Sequence, residues 1–282
     1  MKSIIKLILQ FSQSEIAVRI HSEPMLTDVE IIDLSVPLQH QAVSEPMKPK
    51  IKYIDHKKGF WQMRFLFGVR NKQLKRSKGL GWAIEKISAI THTGTHVDAP
   101  WHYGPESGGK PARRIDEVPL EWCFGPGVRL DVRHLGDGDE ITVAELQKAL
   151  EKIDYTLQGN EIVLLQTGAD LRLNSPDYFK QPGLGREGTL WLVEQGIRMI
   201  GIDAYTIDRP FHSMKADFQS SGDGDVIWPA HFAGIEKEYC QIEKLANLDK
   251  IPVAHGFTVS CLPVKIEKAS AGWCRAVALV PK

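Results

Sequence analysis

The sequence predicts a mixed α/β fold, with strands of both directions forming a barrel-like β-sheet and helices at its periphery. Three observations predict it. Short apolar strands recur between turn-rich segments, helical periodicity is confined to a few stretches, and the two do not alternate as a clean βαβ repeat, which argues against a doubly wound parallel sheet. At 43% hydrophobic and 25% charged, the 282 residues have ordinary globular usage.

In chain order, strands are expected at Glu30 to Leu34, Ala83 to Ile90, Gly127 to Asp131, Ile162 to Gln166, Met199 to Asp203, Ile251 to Gly256 and Ala276 to Val280. A helix is expected over Val143 to Lys152, capped by Thr142, and another over Thr189 to Gln195. A proline opens a short helix over Pro229 to Glu236, and Tyr239 to Glu243 has strand or loop character. No internal repeat or long linker divides residues 25–282, which are read as one domain. Residues 1–24, ahead of Met25, are read as a poorly ordered extension dispensable for chemistry.

Lys plus Arg equals Asp plus Glu at 35 each, so no net field draws the chain to nucleic acid or to an anionic membrane; a small molecule is the expected partner. Cys123, Cys240, Cys261 and Cys274 form no C-x-x-C pair or disulfide framework and are expected to be reduced. Lys6 interrupts the apolar run at the N-terminus and no small-residue cleavage pattern follows, so a cytoplasmic protein is expected.

Residues 43–82 stand apart, with eleven Lys and Arg interleaved with Tyr53, Phe60, Trp61, Phe65 and Phe67. Such a mixture occurs on nucleic-acid surfaces, but the balanced total charge argues against that here. The segment is read as an insertion that forms a lid or subunit contact, its aromatics either walling a substrate or simply packing.

The run His92-Thr93-Gly94-Thr95-His96-Val97-Asp98-Ala99-Pro100-Trp101-His102 is the most informative part of the chain. Gly94, Pro100 and the two threonines disfavour a helix, and in an extended chain His92, His96, Asp98 and His102 share one face. A straight strand would spread the outer histidines by about 33 Å, so the chain must curve, with Gly94 and Pro100 as the bends. Imidazole and carboxylate together suit zinc, manganese or iron(II), and four ligand candidates in so short a run point to a metal site.

This string resembles the H-x-G-T-H-x-D-x-P-x-H signature of the cyclase family of metal-dependent hydrolases, which includes bacterial kynurenine formamidase and isatin hydrolase. Ile31 to Leu38 resembles the family's opening strand, Gly201 to Asp208 a later strand-turn, and Leu262 to Ile266 its closing strand. The resemblance implies a swivelling β/β/α domain. It also implies a second ligand pair, a histidine followed twelve residues later by a glutamate or glutamine, matched here by His231 and Glu243. One helix would hold that pair about 18 Å apart, so the helix must stop between them.

The implied ligand set is therefore His92, His96, Asp98, His231 and Glu243, more than one catalytic zinc normally takes. Two zinc ions or a manganese ion are the expected cofactors, and glutamate rather than glutamine at 243 favours the pair. His102 matches the family's catalytic histidine, a general acid/base for a metal-activated water; being one more ligand is the alternative. The resulting expectation is hydrolysis of a non-peptide C–N bond in an amide, aryl formamide, lactam or cyclic imide, by a homodimer or homotetramer. A non-catalytic metal- or ligand-binding module and a metal-dependent cyclase or dehydratase are the competing readings.

Other motifs are weaker. Gly183 to Gly188 has G-x-G-x-x-G spacing without a leading strand, Gly104 to Lys110 begins like a P-loop but continues with Pro111, and no G-x-S-x-G elbow exists. The first two are read as loop and turn.

Overall fold

In the computed structural model, which describes residues 28–282, most of the apolar runs read from the sequence join one nine-stranded mixed sheet. The expectation for residues 1–24 lies outside the described residues. The chain runs β1 (Val29–Asp33), β2 (Lys50–Ile54), α1 (His56–Phe67), β3 (Ile84–Ser88) and β4 (His96–Asp98), then the short hairpin β5 (Glu106–Ser107) and β6 (Lys110–Pro111). It continues through β7 (Phe124–Asp131), β8 (Glu140–Ile141), α2 (Val143–Lys152), β9 (Ile162–Gln166), β10 (Gly183–Leu184), α3 (Arg186–Glu194) and β11 (Met199–Ile202). The last part comprises α4 (Phe211–Ser221), α5 (Pro229–Glu236), β12 (Cys240–Glu243), β13 (His255–Ser260), β14 (Ala271–Trp273) and β15 (Val277–Pro281).

The strand order is β1-β15-β13-β7-β9-β11-β12-β4-β14. β7, β9, β11 and β12 are mutually parallel, and the strands on both flanks are antiparallel. With α2 and α3 as crossovers, the middle of the chain therefore holds successive βαβ units, which the irregular order of the whole conceals.

Central β9 is buried along its whole length because both faces are covered. Val163 and Leu165 pack under Leu146 of α2 and Leu192 of α3, whereas Ile162 and Leu164 join Ile32, Val97, Ile242 and Val259 on the opposite face. That second cluster gathers strands from both halves of the sheet, so the sheet is curled. Beyond β1, Leu34 N donates to Ala276 O and Ala246 N donates to Leu34 O, each at 2.9 Å, and Ser35 bridges to Leu245. These bonds draw the start of the chain against the end of β12, giving the barrel-like shape.

Thr142 caps α2 by accepting from Glu145 N at 3.3 Å. The strand expected over Ile251 to Gly256 instead runs His255–Ser260, since Pro252 offers no N–H and Gly256, at φ +82°, sits where the β13–β7 register shifts. Leu262 to Ile266 is not the closing strand; it makes one bridge, Pro263 to Cys274, and β15 takes that place. Gly183 to Gly188 follows a 3₁₀ turn at Pro176–Phe179, and β10 within it is only two residues long. All four cysteines are free. Among the described residues, no helix is long and apolar enough to cross a membrane.

Residues 43–82 contain β2, which pairs with β3 outside the main sheet, and α1, which packs back on the return segment. A Cβ at Gly59 would lie 1.8 Å from Trp82 O, so backbones meet there directly, and Trp82 Nε1 donates to Gln62 Oε1 at 2.7 Å. The arm thus locks on itself while leaving Tyr53, Trp61, Phe65, Leu66 and Phe67 exposed.

Candidate metal centre

β4 is only three residues long, and its alternation turns His96 and Asp98 to the same side. Gly94, at φ +66°, bends the chain before it, and Pro100 opens a 3₁₀ turn, Pro100–His102, after it. These bends bring the His92 and His102 ring centroids to 4.0 Å, so the chain curves as its composition requires. β12 lies antiparallel beside β4 with Gln241 opposite Asp98 and Glu243 opposite His96. α5 begins at Pro229, which places His231 in its first turn, and the helix ends before Glu243.

The residues converge on Asp98. Its Oδ1 lies 2.7 Å from His92 Nδ1 and 3.1 Å from His96 Nε2, and its Oδ2 lies 3.9 Å from His231 Nε2. Glu243 spans the same gap, with Oε2 3.8 Å from His96 Nε2 and Oε1 3.7 Å from His231 Nε2. Among the described residues, two groups have ligand atoms all within 4.8 Å of one another, His92–His96–Asp98 and Asp98–His102–His231, and they share Asp98. His102 therefore stands where it could ligate as well as exchange protons.

A divalent cation fits these residues. His96 Nε2 and Asp98 Oδ1 are buried with no hydrogen-bond partner, although a buried polar atom ordinarily has one. The second nitrogen of each ligand histidine is held. His96 Nδ1 is 2.8 Å from Gly94 O, His92 Nε2 is 3.0 Å from Ser270 Oγ, and His231 Nδ1 donates to Asp208 Oδ2. Such partners fix the tautomer and leave the other nitrogen's lone pair for a metal.

Charges are distributed unevenly. Burial opposes ionisation of Asp98, but the charges of His96 and His92 outweigh it and hold the carboxyl well below the usual range. Burial, reinforced by the Asp98 charge, pushes Glu243 up. Burial opposes protonation of His231, but the charge and hydrogen bond of Asp208 raise it to about 9. His102 is pushed down to about 4 by burial, with the neighbouring histidines adding to the effect, so its imidazole is neutral at pH 7.

A cavity of about 380 Å³ opens on the cluster, its apolar wall formed by Pro46, Met47, Ile90, Tyr205, Phe211 and Trp228. Residues 43–82 thus supply Pro46 and Met47 from their root, but none of Tyr53, Phe60, Trp61, Phe65 or Phe67 reaches the cavity. Trp228, in the left-handed region at φ +55°, stacks on His231 with centroids 4.4 Å apart. In the cavity's lining, Lys244 Nζ donates to Glu45 Oε2 and to His92 O, both at 2.8 Å, and Glu45 Oε1 accepts from Gly94 N at 2.8 Å. Asp208, Gln241, Ser270 and this ion pair were not singled out from the sequence; only Asp208 carried a signal, at the end of the family-like strand-turn.

The family model described as "Putative cyclase" matches residues 32–209. Kynurenine formamidase of Bacillus thuringiensis (strain Al Hakam) is 32% identical over 126 residues, 44% of this chain, which covers 53%, about half, of that protein's length. That of Geobacillus thermodenitrificans (strain NG80-2) is 30% identical over 212 residues, covering 74% of this chain and 86% of that protein. Isatin hydrolase A from Ralstonia solanacearum superposes with a TM-score of 0.70 at 22% identity over 95% of this chain and 98% of the other. A second isatin hydrolase structure, bound to the product analogue thioisatinate, has a TM-score of 0.70 at 23% identity over 100% of each chain, and at such identities the likeness speaks to the fold. With the signature at residues 92–102 inside the matched region, the chain belongs to the cyclase family.

Proposed function

We propose that this chain is a metal-dependent hydrolase of a non-peptide C–N bond in a small molecule, with an aryl formamide, lactam or cyclic imide as substrate. The observation that carries the reading is the pair of orphaned buried atoms, His96 Nε2 and Asp98 Oδ1, 3.1 Å apart in a cluster whose His92, His102, His231 and Glu243 line an aromatic-walled cavity. The names of the curated relatives and structural neighbours support the same bond class. His92, His96, Asp98, His231 and Glu243 are the proposed ligands of two zinc ions or of manganese; Asp98 and Glu243 both lie between the two histidine groups, which favours a pair of ions.

A bound cation would supply acidification of a water molecule and polarisation of the scissile carbonyl. His102, neutral and without a hydrogen bond of its ring among the described residues, takes a proton from water and returns it to the leaving nitrogen. Trp228, Tyr205 and Phe211 orient a flat ring and exclude bulk solvent.

Residues 25–282 are proposed to act as one cytoplasmic domain, the location supported by four free cysteines, and to assemble as a homodimer or homotetramer through the exposed arm. Elemental analysis of protein purified without added metal, alongside turnover of N-formylkynurenine and isatin, tests the function. About two zinc ions with turnover supports it; a protein that holds no metal after reconstitution overturns it.

A further inference from the structure

The Gln241 amide has more neighbours than its protons can serve. Nε2 lies 3.0 Å from Asp98 Oδ2, 3.1 Å from Glu243 Oε1 and 2.7 Å from His231 Nε2, three acceptors for two N–H groups. In the neutral form that a metal requires, His231 can only accept there, its Nδ1 proton being given to Asp208. On the other side of the amide, the Tyr239 hydroxyl lies 2.9 Å from Gln241 Oε1 and 2.8 Å from Ala230 O. That hydroxyl has one proton and two acceptors to satisfy.

A half-turn of the terminal torsion exchanges the amide oxygen and nitrogen while leaving their two positions almost unchanged, so the hydrogen-bond network decides the orientation. After the exchange, Tyr239 donates to Ala230 O and accepts from the amide N–H, and both contacts are satisfied. The amide oxygen then joins Asp98 Oδ2, Glu243 Oε1 and His231 Nε2 around one point. Four Lewis bases facing one another in a buried space repel unless a cation lies among them. Sheet geometry commits the side chain to this point, since Gln241 and Glu243 share one face of β12 while Cys240 and Ile242 enter the apolar cluster on the other.

We propose that Gln241 is a further metal ligand, coordinating through its amide oxygen the cation shared by Asp98, His231 and Glu243. The assignment rests on the reading of this cluster as a metal centre. It turns β12 into a strand that supplies two ligands, Gln241 and Glu243, and makes Tyr239 the group that holds the amide in its coordinating orientation.

Manganese(II) binding to the metal-stripped full chain, measured by titration calorimetry and by electron paramagnetic resonance of the bound ion, tests it in the wild type and in Gln241→Leu and Gln241→Glu. Gln241→Leu is expected to bind one ion at least about tenfold more weakly, with an altered resonance. Gln241→Glu keeps an oxygen donor and is expected to bind at least as tightly as the wild type. Wild-type affinity and resonance in Gln241→Leu, or weaker binding in Gln241→Glu, overturns the assignment while leaving the metal centre standing. A wild-type chain that binds no manganese overturns both.

Discussion

His231 and Asp208 share a buried hydrogen bond in which the imidazole Nδ1 donates to one carboxylate oxygen, while the other oxygen accepts from Ala230 N at 2.7 Å. One side chain thereby orients a ligand histidine and serves an N–H in the first turn of α5, a helix whose own N-cap, Trp228, offers no side-chain bond. In Asp208→Asn the amide would donate to Nδ1 and move the ring proton to Nε2, the nitrogen needed for metal. Metal affinity is expected to fall about tenfold to a hundredfold. Calorimetry checks this, and unchanged circular dichroism shows that the fold is kept.

His96 and His102 should separate binding from turnover. His96→Ala removes an atom that is buried and otherwise unpartnered, and metal is expected to be lost on gel filtration, as measured by elemental analysis. His102→Ala is expected to retain metal and lose about 10²- to 10⁴-fold in kcat. Full metal content in the first variant, or near-wild-type rate in the second, would remove the assigned role.

Glu45 and Lys244 form an ion pair with side chains only 6% and 4% exposed, and through Gly94 N and His92 O the pair ties the root of the arm to the loop carrying the histidines. Removing one partner leaves a buried charge uncompensated, so Glu45→Ala is expected to cost about 3–5 kcal/mol in urea unfolding. The double variant Glu45→Leu with Lys244→Met should recover part of that loss. Additive losses would show that the pair is not coupled.

The Asp203 carboxyl is pushed up to about 7 by burial, against hydrogen bonds from Thr167 N, Thr167 Oγ1 and Gly168 N. In the unfolded chain it ionises near its ordinary 3.8. Folding therefore favours the protonated form, and this contribution to stability is complete below about pH 4, lost as pH rises to about 7, and flat above, at most about 4 kcal/mol. Asp170, also raised by burial, adds a slope of the same sign. Asp203→Asn has no proton to lose, so its unfolding free energy should show a shallower slope over pH 4–7. Its absolute stability should also drop, because the amide nitrogen meets the Gly168 donor.

What could be read before the structure was local. The ligand run at 92–102 declares itself because its members are close in sequence and because Gly94 and Pro100 supply the bends that fold it on itself. Asp208 lies 23 residues from His231, Gln241 lies 143 from Asp98 and Glu45 lies 199 from Lys244, and no period of strand or helix connects such pairs. α1 and α4 escaped notice for another reason. They bury only Gly59 and Phe60, and only Met214, respectively, so neither displays the apolar stripe by which a helix is recognised. Gly127 to Asp131, Ile162 to Gln166 and Met199 to Asp203 were all legible as strands, but their parallel pairing was not, since pairing direction follows from the crossovers rather than from composition.

The arm closes on itself yet leaves Phe65 94% and Trp61 64% exposed, more apolar surface than a monomer ordinarily shows. Residues 43–82 carry eleven Lys and Arg against two Asp and Glu, and because the whole chain balances at 35 each, the remainder has a negative excess of nine. Two arms facing each other would repel, whereas an arm laid on the body of a second copy is attracted, so the expected dimer is one of crossed arms. Analytical ultracentrifugation should find a dimer that weakens as salt rises, and Trp61→Glu with Phe65→Glu should give monomers. A dimer that tightens with salt would indicate arm-to-arm contact. Carbodiimide cross-linking of Lys57 or Lys58 to a carboxylate outside 43–82 of the other copy is the corresponding positive result, because Met47 and Pro46 at the arm's root line the cavity and docking of the arm would set its roof.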